Sequence, residues 1–170
     1  MHSLHQKFDL DKMEQSNQKI AVFAGSFDPI TLGHEEIARR ALTIFDKIIV
    51  AVGVNGEKHS YFTLEQRIKF IQETFSDEPR ISVETYNGLT IDFVQTIGAT
   101  HLLRGLRSPA DLEFERIVAQ ANRQVSGIDT VFLISAPEFS HISSTIARDF
   151  LRCGGDASMF IPKKIRHHIK

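Results

Sequence analysis

The ten residues from Gly25 to His34, with the sequence GSFDPITLGH, connect a predicted strand to a predicted helix. A glycine-containing turn before a helix leaves backbone amides unpaired and presents the positive end of the helix dipole, an arrangement that binds anions. His34 lies in the first turn of this helix, where a ring N–H could donate to a phosphate oxygen. Asp28 could instead have a structural task and hold the turn through backbone amides. The segment lacks the Gly-Lys-Ser/Thr of a Walker A loop and the spacing of the dinucleotide fingerprint, which argues against generic kinases and dehydrogenases.

Two arginines lie where the fourth predicted strand ends. The run RGLR at positions 104–107 places two permanently charged guanidinium groups at the carboxyl edge of a buried strand. That position suits the binding of anionic groups. The competing interpretation is an ordinary ion pair with Asp111 or Glu113 on the next helix, and it applies more readily to Arg107 than to Arg104.

A run of hydroxyl side chains follows the fifth predicted strand. In the segment from Phe139 to Arg148, FSHISSTIAR, the residues Ser143, Ser144 and Thr145 stand together where helical character begins. One hydroxyl would suffice to cap a helix, so the others could donate to a phosphate chain. Because this is the third strand-to-helix junction with anion-binding groups on one sheet edge, the three junctions predict a single polyphosphate site. Lys58, in the loop after the second strand, could reach the same edge.

The elements that must position these groups alternate along the chain. Short apolar, β-branched runs predict five strands, at 20–24, 48–54, 81–83, 101–104 and 130–135. Apolar residues recur with helical spacing at 37–45, 64–75 and 114–125, and a further helix begins near Thr145. Thr63 with Gln66, and Ser108 before Pro109, mark two of the helix starts.

This alternation predicts an α/β protein with a doubly wound, five-stranded parallel sheet and helices on both faces. In such a sheet, ligands bind beyond the carboxyl ends of the strands where the strand order reverses. We therefore expect the site at the loops after the first and fourth strands.

Length and composition describe one globular domain. The 170 residues are 42% hydrophobic and 24% charged, and a chain of this length can bury a core of its own. Residues 19–170 are predicted to form this single domain, and the polar residues 1–18 a disordered N-terminal extension. The formal net charge of -1 disfavours nucleic acid as a partner. No apolar run is long enough for a membrane span. The single cysteine, Cys153, is expected to be buried, and one cysteine cannot form an intrachain disulfide. We therefore expect a cytoplasmic location.

Several common catalytic patterns are missing from the sequence. It has no Cys or His cluster with zinc-binding spacing, no GxSxG elbow and no distinctive pair of carboxylates. Transfer to a phosphate acceptor needs none of these, because a phosphate with a second pKa of about 6 is already largely ionised at pH 7. Such a reaction depends on positioning and charge neutralisation more than on a base.

Together these motifs resemble those of the nucleotidyltransferase superfamily, and most closely those of the bacterial phosphopantetheine adenylyltransferases. The resemblance rests on GSFDP at 25–29 with TLGH at 31–34, on RGLR at 104–107 and on ISST at 142–145. It extends from about residue 19 to about residue 165, and the ordered set is far more specific than each motif alone. Thr31, where related families have a first histidine, favours this family over the mononucleotide adenylyltransferases and the cytidylyltransferases. The resemblance implies a Rossmann-like nucleotidyltransferase fold.

The same resemblance implies a reaction. It is the transfer of the adenylyl group of ATP to 4'-phosphopantetheine, which gives dephospho-coenzyme A and pyrophosphate in coenzyme A biosynthesis. By matching position, His34 would be the catalytic residue and would stabilise charge that develops on the transferred phosphate. Ser26 and Phe27 would contact the substrate and ATP near that centre.

Further roles follow from matching positions. Lys58 and Arg104 would hold the acceptor phosphate, and Thr90 would line the pantetheine arm. The resemblance assigns ATP binding to Ser26, Phe27, His34, Gly105, Leu106, Arg107, Glu115, Phe139, Ser140, His141, Ile142, Ser143, Ser144 and Thr145.

The resemblance also implies Mg²⁺ bound with ATP, a homohexamer, and coenzyme A as a feedback inhibitor that competes for the site. Ser26 stands where threonine is usual and Phe139 where tryptophan is usual. Serine keeps the hydroxyl and phenylalanine the ring face, so we expect altered affinity more than altered chemistry. Two alternatives stay open: an adenylyltransferase for another phosphorylated acceptor, such as a pyridine mononucleotide, and a non-catalytic module that senses nucleotides.

Overall fold

A computed structural model of the chain describes residues 18–54 and 60–169. The predicted N-terminal extension, apart from its last residue, lies outside this range, as does Lys58. None of the helices among the described residues is long and apolar enough to cross a membrane.

A single parallel sheet forms the centre of the described chain. Its strands are β1 (Ile20–Gly25), β2 (Lys47–Gly53), β3 (Ile81–Tyr86), β4 (His101–Leu106) and β5 (Asp129–Ile134). They are arranged in the order β3-β2-β1-β4-β5, and every neighbouring pair is parallel. The predicted α/β class, with a doubly wound five-stranded parallel sheet, is therefore confirmed. The chain order reverses between β1 and β4, which puts the expected crevice beyond the ends of these two strands.

Within residues 18–54 and 60–169, five α-helices connect and flank the strands. They are α1 (Leu32–Ala41), α2 (Leu64–Thr74), α3 (Thr90–Thr96), α4 (Pro109–Ser126) and α5 (Ser144–Arg152), and short 3-10 helices cover Pro137–Phe139 and Lys163–His168. The predicted starts of α2 and α4 are confirmed, because Thr63 and Gln66 form a capping box and Ser108 caps α4 with Pro109 at its first position. The short helix α3 was not predicted.

The core lies on both faces of the sheet. The β2 run Ile48–Val52 is buried, as a central parallel strand covered on two sides must be. On one face, Ile37 of α1, Ile71 of α2 and Leu151 of α5 pack against the sheet. On the other face, Ile91 and Val94 of α3 join a second apolar cluster. This packing holds the carboxyl ends of β1 and β4 rigidly beside the starts of α1 and α5.

The apolar face of helix α4 is exposed. None of its residues is buried, and its apolar side chains Phe114, Ile117, Val118 and Val125 are 69%, 58%, 37% and 76% exposed. Cys153, which follows α5, is exposed as well, contrary to the expectation that it is buried. The helical period was predicted correctly, but the apolar face of α4 has no covering partner among the described residues of this chain.

Candidate active site

The reversal point of the sheet opens into a cavity of about 300 Å³. Its walls come from the loop after β1, the start of α1, the end of β4, the start of α4 and the start of α5. His34, Arg104 and Ser143, which the sequence placed at three separate junctions, all line this one cavity. The prediction that these junctions meet at one edge of the sheet is confirmed.

The His34 ring is fixed by the cap of its own helix. Thr31 caps α1, and its backbone N–H donates to Nδ1 of His34 over 3.1 Å. The Thr31 hydroxyl lies 3.0 Å from the same nitrogen and accepts from the backbone N–H of His34 at 3.4 Å. Because Nδ1 accepts a backbone hydrogen bond, the ring proton of the neutral imidazole is on Nε2. The ring packs edge-on against Phe27, with centroids 5.0 Å apart.

The surroundings of His34 favour this neutral form. Burial, together with the positive charges of Arg107 and Arg104, lowers the pKa of His34 from 6.5 to about 4. At neutral pH the imidazole is therefore uncharged and presents an Nε2–H donor. A neutral donor of this kind can stabilise negative charge that forms on an oxygen in the cavity.

The turn after β1 is held by contacts from distant segments. Phe27 is buried and has a left-handed backbone with φ +46, an unusual conformation for a bulky residue. A Cβ atom at Gly25 would lie 3.2 Å from the Phe27 ring, so a side chain at that position would force the ring to shift. The carbonyl of Ser26 accepts from Nη1 of the buried Arg67 over 2.8 Å. Ser26 itself is exposed to the site.

Asp28 has a structural task, as one of the sequence-based interpretations proposed, but it does not bind the amides of its own turn. Its carboxylate accepts from the backbone N–H groups of Tyr61 and Phe62 at 2.7 Å and 2.8 Å. These amides belong to the segment before α2, not to the turn that carries Asp28. Asp28 thereby ties the β1 turn to the end of the loop that follows β2.

Both arginines of the RGLR run reach the cavity, and both are paired. Arg104 donates from Nη1 to the Ala24 carbonyl at 2.7 Å and from Nε to Glu115 at 2.9 Å, and its Nη2 also donates to Glu115. Arg107 pairs with Asp111 at 3.2 Å, the partner considered for it from the sequence. Glu115 therefore lies in the cavity wall, as the resemblance implied, and its carboxylate orients Arg104.

Hydroxyl side chains at the start of α5 make hydrogen bonds within the fold. Ser143 caps α5 and accepts from the Ile146 N–H at 3.1 Å, and the Ser144 hydroxyl donates to the Pro29 carbonyl at 2.8 Å. Ten of the fourteen residues that the resemblance assigned to ATP line the cavity: Ser26, Phe27, His34, Gly105, Arg107, Glu115, Ile142, Ser143, Ser144 and Thr145.

Four assigned residues do not line the cavity. Leu106 is buried in β4, and Phe139, Ser140 and His141 lie in and after the 3-10 helix before α5. A Cβ placed on Gly33 would lie 3.8 Å from the Phe139 carbonyl, so this segment passes directly over the start of α1.

A second cavity of about 750 Å³ adjoins the first. The two share Ala24, Gly25, Ser26 and Arg104 in their walls. Thr90, which the resemblance placed beside the pantetheine arm, lines the second cavity at the start of α3, where its hydroxyl lies 2.8 Å from that of Tyr86.

Sequence reasoning missed most of the cations of the second cavity. Arg67, Arg148 and Arg152 line it together with Arg104. Arg148 donates to the Asp28 carbonyl at 2.6 Å. The four-residue spacing of Arg148 and Arg152 puts both on one face of α5, a pattern that could have been found because α5 starts in the predicted site. The second cavity is therefore suited to an anionic ligand.

Comparison with known proteins agrees with this geometry. Residues 22–150 match the model of the cytidylyltransferase-like family. A phosphopantetheine adenylyltransferase of Flavobacterium psychrophilum is 54% identical over 146 residues, which cover 86% of this chain and 97% of that protein. One of Flavobacterium johnsoniae is 56% identical and covers 86% and 96%. The chain belongs to the phosphopantetheine adenylyltransferase family.

Two solved structures share the fold of this phosphopantetheine adenylyltransferase family member. A bifunctional NMN adenylyltransferase/ADP ribose pyrophosphatase of Francisella tularensis, complexed with AMP and a manganese ion, matches with a TM-score of 0.66 at 15% identity, over 86% of this chain and 45% of that one. A lipopolysaccharide core biosynthesis protein of Thermoplasma volcanium matches with a TM-score of 0.51 at 17% identity, over 71% and 98%. At such identities the likeness concerns the fold alone, which is Rossmann-like, as expected.

Proposed function

We propose that this protein transfers the adenylyl group of ATP to 4'-phosphopantetheine and releases pyrophosphate and dephospho-coenzyme A. One observation carries the proposal: two cavities, each lined by anion-binding groups, meet at Ser26 and Arg104. A transferase that joins two phosphorylated substrates needs such adjoining sites. The relatives with 54% and 56% identity bear the name of this activity.

The first cavity is proposed to hold ATP. Its wall combines the starts of α1 and α5 with Arg107 and Gly105 at the end of β4. Helix starts and guanidinium groups suit a triphosphate. Leu106, Phe139, Ser140 and His141 complete the proposed nucleotide site on the strength of the family resemblance.

The second cavity is proposed to hold 4'-phosphopantetheine. Arg104 would neutralise the acceptor phosphate where the cavities meet, and Thr90 would line the pantetheine arm further out. Arg148 and Arg152 add positive charge along the same wall. Lys58, outside the described residues, is proposed from the resemblance to hold the acceptor phosphate from the loop after β2.

The proposed reaction is an in-line displacement at the α-phosphorus. An oxygen of the acceptor phosphate forms the new P–O bond, and the bond from the α-phosphorus to the bridging oxygen of pyrophosphate breaks. No protein base is needed, because the acceptor phosphate is already ionised. His34 would donate from Nε2 to the α-phosphate as charge shifts in the transition state, while Arg104 and Arg107 neutralise the substrates.

Mg²⁺ is proposed to enter as part of the substrate MgATP. Asp111 and Glu115, the carboxylates in the first cavity, each pair with an arginine. The cavity wall therefore lacks a free carboxylate cluster among the described residues, and the ion would be held mainly by phosphate oxygens and water. The metal would lower the charge of the triphosphate for attack.

Two further properties are proposed from the resemblance. Coenzyme A carries both an adenine nucleotide and a pantetheine arm, so it would occupy the adjoining cavities and inhibit by competition. The exposed apolar face of α4, with Phe114 69% and Val125 76% exposed, supports assembly with further copies of the chain, for which we propose a homohexamer.

The deciding experiment is incubation of the protein with MgATP and 4'-phosphopantetheine, followed by mass detection of dephospho-coenzyme A. Nicotinamide mononucleotide in place of 4'-phosphopantetheine is the acceptor control, and pyrophosphate release is measured in both. If product forms only with nicotinamide mononucleotide, then that compound, and not 4'-phosphopantetheine, is the acceptor. If calorimetry shows that ATP binds but neither acceptor gives pyrophosphate, the protein is instead a nucleotide-sensing module without catalytic activity.

A further inference from the structure

Three possible metal ligands meet where the C-terminal 3-10 helix contacts the end of α2. They are Glu73 in the last turn of α2, and His167 and His168 at the end of the 3-10 helix. One ligand atom of each residue lies within 4.8 Å of the others. None of the three lines either cavity of the proposed active site. The sequence did not indicate this cluster, because 95 residues separate Glu73 from His168.

The distances fit a tetrahedral ion. Nε2 of His168 lies 2.8 Å from Oε2 of Glu73, and Nε2 of His167 lies 3.9 Å from the same oxygen. Bonds of about 2.0–2.1 Å to a tetrahedral Zn²⁺ put its ligand atoms about 3.3 Å apart. That separation lies between the two observed distances, and all three ligand atoms lie within 4.8 Å of one another, so side-chain rotations could bring them into the bonding range of one ion.

The surroundings hold one imidazole still and leave the other adjustable. The His168 ring stacks on Phe70 with centroids 5.6 Å apart and planes 28° from parallel, and its side chain is 22% exposed. The His167 ring lies against it at 3.8 Å, and its side chain is 66% exposed. Nζ of Lys69 lies 3.8 Å from Oε1 of Glu73. This ammonium group would compete with a metal ion for the carboxylate.

We propose that Glu73, His167 and His168 bind one divalent transition-metal ion of the zinc class. Two imidazoles and one carboxylate are a donor set that Zn²⁺ accepts, with water in the remaining position. Mg²⁺ and Ca²⁺ prefer oxygen ligands, so they are poor occupants. The bound ion would fasten the C-terminal 3-10 helix to α2, and it would stabilise the folded chain because the ligands are together only in that state.

The test uses the full chain after treatment with EDTA and removal of the chelator. Zn²⁺ is titrated by calorimetry, and Co²⁺ is followed by the visible absorption that tetrahedral cobalt gives. Glu73→Gln and His167→Ala are the ligand variants, chosen because neither side chain belongs to the buried core and Gln keeps the size of Glu. We expect one ion per chain at this site and at least about 10-fold weaker binding in each variant, together with a smaller rise in Tm on adding Zn²⁺.

The control variant replaces His2 and His5 by alanine, because these N-terminal histidines could also capture metal. This control variant should bind Zn²⁺ at the proposed site with the affinity of the wild type and should give the same cobalt absorption spectrum. Equal affinity in wild type, Glu73→Gln and His167→Ala, with loss only in the His2/His5 variant, would overturn the proposal. Unfolding curves recorded in EDTA check that every variant is folded. Since no activity is measured, this outcome is independent of the proposed adenylyl transfer.

Discussion

The imidazole of His34 is arranged as a donor before any substrate arrives. The backbone N–H of Thr31 occupies Nδ1, and burial lowers the pKa to about 4, so the proton that remains at neutral pH is on Nε2. A histidine that acts as a neutral hydrogen-bond donor does not need to change its protonation state during the reaction. Its contribution is therefore expected in kcat, where a preorganised donor acts on the transition state.

Replacement of His34 by alanine should lower kcat by on the order of 100-fold, the range for the loss of one transition-state donor, with the fold intact. His34→Gln, which keeps an N–H group of similar reach, should lose less. Steady-state pyrophosphate release measures both. Near wild-type turnover in His34→Ala would remove His34 from the catalytic role.

The lowered pKa of His34 also predicts how stability depends on pH. In the unfolded chain this imidazole takes up a proton near pH 6.5, whereas in the folded chain it does so only near pH 4. The stability contribution is therefore complete above pH 6.5 and is lost as the pH falls from 6.5 to 4, by at most about 3 kcal/mol. Urea unfolding at pH 7.5, 6 and 5 should show a smaller loss in His34→Gln than in wild type. Parallel curves for the two proteins would contradict the pKa assignment.

At this scale, the sequence identified the site by residue type but not by partner. His34, Arg104 and Ser143 were placed correctly because each lies at, or in the segment after, the carboxyl end of a strand, and the parallel topology brings these ends to one edge. The pairing of Arg104 with Glu115 could not be derived, because it depends on how α4 is oriented relative to the sheet.

At the scale of elements, the turn after β1 depends on α2 and on the segment before it. Asp28 binds the backbone of Tyr61 and Phe62, and Arg67 binds the carbonyl of Ser26. Both contacts cross between elements that are more than 30 residues apart in the chain. The turn that faces both cavities is therefore positioned by the loop after β2, the same loop that carries Lys58.

Asp28→Asn should weaken this tie. The amide keeps one acceptor oxygen but places an NH₂ group against a backbone N–H, which is expected to destabilise the fold by about 1–3 kcal/mol. The KM for 4'-phosphopantetheine should rise more than the KM for ATP, because the segment adjoins the second cavity. Denaturant unfolding and initial rates with each substrate varied in turn measure the two effects. Equal changes in both KM values would argue against a specific link to the acceptor site.

The elements themselves were largely predictable. All five strands were found, because each contains a short run of apolar or β-branched residues, and the capped starts of α2 and α4 were found from Thr63 and Ser108. Helix α3 was missed. It has 7 residues, too few to establish a helical period, and its first residue has no side-chain cap before it.

At the scale of the whole molecule, the apolar face of α4 is the feature that the sequence pattern left undecided. Periodicity indicates that a helix has an apolar face, but it does not indicate whether the same chain or another copy covers that face. In the described chain the face is open. An exposed helix face of this kind is typical of an interface between subunits.

Phe114→Ser should therefore reduce assembly. Phe114 is 69% exposed, so its loss removes little packing within the chain and leaves the monomer folded. Light scattering after size-exclusion chromatography should show a smaller mass than wild type at the same concentration. Arg116→Ala, a polar neighbour on α4, is the matched control and should keep the wild-type mass. A monomeric wild type, or an unchanged mass in Phe114→Ser, would contradict the proposed assembly.

The same helix supplies Glu115, whose carboxylate orients Arg104 between the two cavities. A helix without a buried side chain draws little stability from its own chain, so α4 should become frayed when subunits separate. Dilution should then lower the rate per subunit, and addition of an inactive His34→Ala protein should restore it by re-forming mixed assemblies. Subunit concentration would in this way act on an active site that lies within a single chain.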